Sequence, residues 1–158
     1  MDKVYLTWWQ IDRAVFALAE EIQKHFMPDV IVGIARGGLI PAVRLSHVLG
    51  DVELKVIDVK FYKGIDERME KPVVTIPLHG SLEGKKVVIV DDVSDTGKTL
   101  EVVIEEVKKA GAKEVKVACL SMKPWTKVVP DFYVFRTDKW IVFPWEEFPV
   151  VVREHLPV

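Results

Sequence analysis

The 158-residue sequence contains no asparagine, two glutamines and a single cysteine. Cys119 has no partner for an internal disulfide, which suits a reducing cytoplasm. It lies in the apolar run Val115–Leu120, where a free cysteine is expected as a small buried core residue and not as a catalytic thiol. No apolar run approaches the ~20 residues that a membrane helix needs. No leader is apparent either, because Met1-Asp2-Lys3-Val4-Tyr5 runs directly into a polar–apolar periodic segment. An excess of one charge is also lacking. A formal net charge of −2 gives no general attraction to nucleic acid or to an anionic membrane, so an anionic ligand must be caught by local geometry. The histidines at 25, 47, 79 and 155 show no metal-ligand spacing. No Ser/His or Cys/His constellation stands out. There is no internal repeat, low-complexity segment or linker, so residues 1–158 read as one domain. The missing asparagine, beside abundant Lys, Glu and Val, suggests a hyperthermophilic source.

What is present is an alternation of helical and strand periodicities. Thr7-Trp8-Trp9-Gln10 has the form of a capping box. Ile11, Ala14, Val15, Leu18, Ala19, Ile22 and Phe26 follow at helical spacing, and Pro28 closes the helix. The short, β-branched run 29–35 predicts a buried parallel strand. Arg36-Gly37-Gly38 then turns into a helix over 39–49, closed by Gly50. A second strand is expected over 54–61. Residues 63–84, broken by glycines and prolines, read as a long excursion with an irregular strand near 73–76; such excursions are often lids. Further strands are expected over 86–91, 115–120 and 132–135, with a helix over 99–110. The aromatic, proline-rich stretch 140–152 has no assignment. Strands alternating with helices imply an α/β fold with right-handed crossovers and a parallel sheet covered on both faces. Ligands in such sheets bind beyond the carboxyl ends of the strands. That rule singles out two turns, 35–38 and 91–99.

The second turn carries the chemistry. In the run from Val87 to Thr99, a buried strand delivers two adjacent carboxylates, Asp91 and Asp92, to the sheet edge. Val93, Ser94, Asp95, Thr96, Gly97 and Lys98 form a short loop, and a helix begins near Thr99. Exposed backbone N–H groups at a helix start bind phosphate with help from the helix dipole. Thr96 and Thr99 add hydroxyl donors, and Gly97 lets a ligand approach the backbone. Gly97-Lys98-Thr99 matches the end of a triphosphate P-loop, but Asp92 occupies that motif's first glycine position. Two carboxylates would repel a triphosphate. They suit a neutral diol, whose hydroxyls donate to them, and a hard divalent cation. A diol, a phosphate and a second, metal-held anion together describe phosphoribosyl pyrophosphate.

This run resembles the phosphoribosyl pyrophosphate signature of the type I phosphoribosyltransferases. Lys3–Trp8, Ala35–Pro41, Met122-Lys123-Pro124, Asp138–Ile141 and Pro144-Trp145 are similar, in order, to segments of the bacterial xanthine–guanine phosphoribosyltransferases. The resemblance implies a parallel core sheet flanked by helices, with a flexible hood loop and a small C-terminal base-binding part. It also implies transfer of phosphoribosyl to a 6-oxopurine in purine salvage, by a cytoplasmic homodimer or homotetramer. In it Arg36 and Gly37 form the pyrophosphate loop, and Arg68 closes on the pyrophosphate from the hood. Asp91 holds the ribose hydroxyls and Asp92 binds Mg²⁺. Asp95 takes the proton of the base, though Asp is also a strong helix cap and the two roles are compatible. Lys123 donates to the 6-oxo group, Trp140 stacks on the purine, and Ile141 offers backbone groups to the base edge. The chain departs from the family by extra residues between Arg68 and Asp91, by Lys98 in place of glycine, by Phe143, and after Glu146. The same fold also serves regulators that bind DNA or RNA; those need an added domain or a basic face, and this sequence shows neither.

Overall fold

A computed structural model describes residues 2–65 and 70–147. Helix α1 spans Trp8–His25 and starts at the expected capping box: Thr7 Oγ1 accepts from Gln10 N–H at 3.1 Å, and Thr7 N–H donates to Gln10 Oε1 at 2.9 Å. All seven residues of its apolar stripe are buried. Strands β2 (Val30–Ile34), β3 (Glu53–Lys63), β4 (Glu70–Ile76), β5 (Lys86–Ser94), β6 (Glu114–Met122) and β7 (Phe132–Arg136) form one sheet in the order β4-β3-β2-β5-β6-β7. Every pair is parallel except β3–β4. Helix α2 (Leu39–Val48) connects β2 to β3, and α3 (Lys98–Lys109) connects β5 to β6.

Alternation along the strands divides the core into two layers. Ile31, Val88, Val90, Ala118 and Leu120 pack with the buried stripes of α1 and α2. Their neighbours in sequence, Val30, Val32, Val87, Ile89, Val117 and Cys119, pack with Leu100, Val103 and Val107 of α3. Strands buried on both faces need no polar residues, which is why they read as continuous apolar runs. Helix α2 leads outward from β2 over one face, whereas α3 leads outward from β5 over the other. The crevice between the carboxyl ends of β2 and β5 is therefore the topological switch point, where α/β sheets bind ligands. Both turns singled out in the sequence end there.

The strand expected near 73–76 is present and longer, as β4, which pairs antiparallel to β3 with one register shift at Asp58/Val59. β5 runs three residues further than expected, to Ser94, because it stays paired with β6 as far as Ser94 opposite Met122. The unassigned C-terminal stretch contributes a strand β8 (Trp140–Val142), which pairs in parallel with β1 (Lys3–Tyr5), a strand the sequence pattern did not reveal. A three-residue strand is too short to display a period.

Candidate active site

The alternation of β5 continues into its two acids. Asp91 lies on the α3 face with Ile89, and Asp92 lies on the α2 face with Val90. Each carboxylate accepts the backbone N–H of the next residue: Asp91 Oδ1 from Asp92 at 2.8 Å, and Asp92 Oδ1 from Val93 at 2.7 Å. The pair therefore feeds two hollows on opposite sides of the sheet edge. Burial, and then the charge of Asp92, hold the Asp91 carboxyl well above the usual carboxylate range. Burial also raises the Cys119 thiol, helped by the two acids above it. Cys119 is fully buried, as expected for a core residue.

On the α3 side a cavity of about 70 Å³ is lined by Asp91, Val93, Ser94, Asp95, Thr96, Gly97, Thr99 and Leu100. It sits at the start of α3, where backbone N–H groups lack helical partners. Gly97 adopts a left-handed φ of 91°, and a Cβ there would lie 2.8 Å from the Val128 nitrogen, so only glycine fits comfortably. Ser94 is buried and its hydroxyl is engaged by Val128 O and Thr126 Oγ1, each at 2.7 Å, so only its backbone is left for a ligand. Lys98 reaches Glu70 at the foot of β4, 3.7 Å away, rather than the cavity. Asp95 does not cap α3: the N-cap is Gly97, and the first helical N–H, that of Lys98, donates to Thr96 Oγ1 at 3.3 Å.

On the α2 side a cavity of about 580 Å³ is lined by Arg36, Gly37, Ile40, Asp92, Trp145, Glu146 and Glu147. The Ala35–Arg36 peptide is cis. Gly37 abuts the carboxylate of Asp92: a Cβ at Gly37 would lie 2.0 Å from Asp92 Oδ2. Between these two hollows lies a third, of about 250 Å³, lined by Asp92, Val93, Asp95, Lys123, Trp140, Ile141, Phe143 and Glu146. It shares Val93 and Asp95 with the small cavity, and Asp92 and Glu146 with the large one. Arg68 lies outside the described residues, in the connection between β3 and β4. A separate hollow of about 720 Å³ between α1 and β7, bordered by Phe26, Lys116 and Asp131, opens at the other end of the strands and takes no part in this arrangement.

The middle cavity combines an apolar floor with a few polar groups. Ile141 and Phe143 are buried, whereas Trp140 is 51% exposed, so its ring is open to a ligand and not absorbed into the core. Lys123 is only 6% exposed. Its ammonium donates to the Lys139 carbonyl, and its backbone N–H extends the sheet by donating to Ser94 O at 2.9 Å. Lysine carries three N–H donors, so two remain for a ligand. The pairing of Ile141 with Val4 fixes the far wall. Sequence reasoning missed Phe143, Glu146 and Trp125. The ring of Trp145 stacks on Phe143, with centroids 4.6 Å apart. Positions 141, 143 and 145 therefore follow a strand period, a faint signal within a proline-rich stretch. Trp125 donates its indole N–H to Asp95 Oδ1 at 2.9 Å, a contact between loops that no local pattern announces.

The profile of the phosphoribosyl transferase domain family matches residues 4–154. The chain is similar to the xanthine-guanine phosphoribosyltransferase of Gluconobacter oxydans, with 37% identity over 150 residues, 93% of this chain and 86% of that protein. It is 34% identical to the enzyme of the same name from Cereibacter sphaeroides over 90% of this chain and 86% of that protein. Among solved structures, a purine phosphoribosyltransferase from Pyrococcus horikoshii superposes with a TM-score of 0.91 and 81% identity, covering 96% of this chain and 99% of that one. A protein of Neisseria gonorrhoeae with bound ppGpp superposes with a TM-score of 0.82 at 28% identity, covering 94% and 92% of the two chains.

Proposed function

The chain belongs to the phosphoribosyl transferase domain family, and we propose that it transfers the phosphoribosyl group of phosphoribosyl pyrophosphate to a 6-oxopurine in purine salvage. The products are the nucleoside monophosphate and pyrophosphate. One observation carries this reading: three hollows of different chemistry meet at Asp92, Val93 and Asp95. The small cavity at the start of α3 suits the 5′-phosphate, held by backbone N–H groups and the hydroxyls of Thr96 and Thr99. Asp91, at its edge, suits the ribose hydroxyls. The large cavity, with Arg36 and the backbone around Gly37, suits the pyrophosphate, and Arg68 would approach it from the hood. The middle cavity suits the purine, with Trp140 over its face, Lys123 at the 6-oxo group and backbone groups of Ile141 at its edge. Support for the purine comes from relatives named xanthine-guanine and purine phosphoribosyltransferases.

Asp92 fits as a ligand of Mg²⁺. Asp92 presents a carboxylate oxygen beside Gly37, on the wall common to the pyrophosphate and base cavities. Mg²⁺ is commonly held by one or two carboxylates, with substrate phosphates and water completing its shell. Bound there, the cation would neutralise the departing pyrophosphate. A nearby cation would also favour the ionised form of Asp91.

The chain's own residues contribute position and electrostatics. They align the base nitrogen with the anomeric carbon, and such alignment of two reactants can offset ~7–11 kcal/mol of barrier in favourable cases. As the base nitrogen bonds to the anomeric carbon and the bond to pyrophosphate breaks, Asp95 accepts the proton released from the purine ring. Residues 1–158 are taken as one domain acting as a cytoplasmic homodimer or homotetramer, without nucleic-acid partners; light scattering on the purified protein checks its assembly. Among the described residues no helix is long and apolar enough to cross a membrane. Titration calorimetry with phosphoribosyl pyrophosphate tests the site. Mg²⁺ should tighten binding to the wild type and have little effect on Asp92→Asn. Equal Mg²⁺ dependence in both proteins would remove Asp92 as the metal ligand.

A further inference from the structure

The segment after β6 is clasped to the phosphate-binding turn along its length. Lys123 N–H donates to Ser94 O at 2.9 Å, and Lys127 N–H donates to Thr96 O at 3.2 Å. The Ser94 hydroxyl also meets both Thr126 Oγ1 and Val128 O. Trp125 sits in the middle of this clasp, so its backbone position is set by the turn that carries Asp95. Its side chain is 56% exposed, which alone is unremarkable for an aromatic residue. The informative feature is its one polar atom, the indole N–H, which donates to Asp95 Oδ1 at 2.9 Å.

Asp95 is an exposed loop residue. Without a partner its carboxylate would sample several rotamers, and only some would face the base. The indole bond engages Oδ1, leaving Oδ2 to accept a proton. The same indole ring lies 5.9 Å from Lys123 Nζ, at the edge of cation–π range. One side chain outside the lining of the base cavity therefore contacts both polar groups assigned to the purine.

We propose that Trp125 is a positioning residue for the transfer reaction: its indole N–H holds the Asp95 carboxylate in the orientation that receives the proton of the base. The inference rests on the functional reading above, through the role given to Asp95. A donor fixed on a rigid clasp orients a carboxylate at little entropic cost, because the two segments are already bound to each other. The charged groups sharing the base cavity with Asp95 are Asp92, Lys123 and Glu146; of these only Lys123 lies near the Trp125 ring, so a test variant must keep a ring there.

The test is Trp125→Phe, alone and combined with Asp95→Asn. Phenylalanine keeps a ring beside Lys123 and removes the N–H. In the single variant kcat should fall about tenfold, the size expected for losing a hydrogen bond to a charged group at a partly exposed site. KM for guanine and for phosphoribosyl pyrophosphate should change less than about twofold, and Tm should stay within a few degrees of wild type. In the Asp95→Asn background the Trp125→Phe change should lower kcat by less than about twofold, because the orientation it provides no longer matters. An equal loss of kcat in both backgrounds, or an unchanged kcat in the single variant, would overturn the proposal. The wild-type assay separates this outcome from failure of the functional reading: an inactive wild type removes the reading, whereas an active wild type with an indifferent Trp125 removes only the inference.

Discussion

Replacing each of two adjacent glycines by alanine should produce opposite kinds of damage. At Gly37 an added Cβ would lie 2.0 Å from Asp92 Oδ2 and 2.8 Å from its Cγ. A tolerable contact needs at least about 3 Å, so the carboxylate oxygen must retreat by about 1 Å. Asp92 can do this by turning its side chain, at a cost of ~0.5–1.5 kcal/mol for an off-rotamer angle. The fold should therefore hardly notice. The reaction should, because a displacement of about 1 Å at the reacting centre costs on the order of 10²-fold. Gly37→Ala is thus expected to lower kcat/KM about 100-fold and to raise the Mg²⁺ concentration needed for half-maximal rate. At Gly38 the added Cβ would meet Ile34 O at 2.6 Å, Val90 O at 2.7 Å and Asp91 Cα at 2.9 Å, all of them backbone. Nothing there can swing aside. Gly38→Ala should destabilise the protein by ~1–3 kcal/mol, or roughly 2–4 °C in Tm per kcal/mol for a chain of this size. Thermal unfolding and steady-state kinetics at graded Mg²⁺ measure both effects. A Gly37→Ala protein with wild-type kinetics at limiting Mg²⁺ would refute the assignment of Asp92 and its loop.

The buried Asp91 makes a pH prediction. Its carboxyl is held well above the usual range in the folded protein, so between the unfolded value and the raised one the native state binds the extra proton. Without divalent cation, stability should be fully present below about pH 4, the unfolded range, and should decline as pH rises through the folded value. Asp91→Asn should flatten that slope and raise Tm at pH 7; a lower Tm at pH 7 would contradict the buried-charge account. Asp95→Asn should keep binding of phosphoribosyl pyrophosphate and lose ~10²–10⁴ in turnover; if only binding suffers, Asp95 is not an acid–base group. Lys123→Ala should bring the kcat/KM values for guanine and adenine closer together, since the buried ammonium offers only donors to the 6-position; an unchanged ratio would remove Lys123 as the cause of base choice.

The parts of this account that were legible in the sequence are those written in local patterns. The stripe from Ile11 to Phe26, the apolar strands and the order of strand, acids, loop and helix around Asp91 each lie within one run of residues. They single out the two turns at the carboxyl ends of the strands. What stayed hidden depends on contacts between distant runs. The pairing of Lys3–Tyr5 with Trp140–Val142 joins the two ends of the described chain, and neither strand is long enough to show a period. The division of Asp91 and Asp92 between opposite faces follows from β5 extending to Ser94, which its pairing with β6 decides. The engagement of the Ser94 hydroxyl depends on the return of Thr126 and Val128, more than thirty residues further on. The approach of Lys98 to Glu70 likewise depends on where β4 lies. Trp125 was invisible as a functional residue because its partner lies thirty residues away in another loop.

The central claim is the choice of reaction and of base, and one assay addresses both. The protein is incubated with phosphoribosyl pyrophosphate, Mg²⁺ and, separately, guanine, hypoxanthine, xanthine, adenine, orotate or uracil, and nucleoside monophosphate is resolved by chromatography. The account predicts nucleotide from the three 6-oxopurines, with adenine disfavoured by orders of magnitude, up to ~10⁴-fold where a site demands a specific hydrogen bond. Adenine converted at a rate near that of guanine, or no nucleotide from any base, would contradict it.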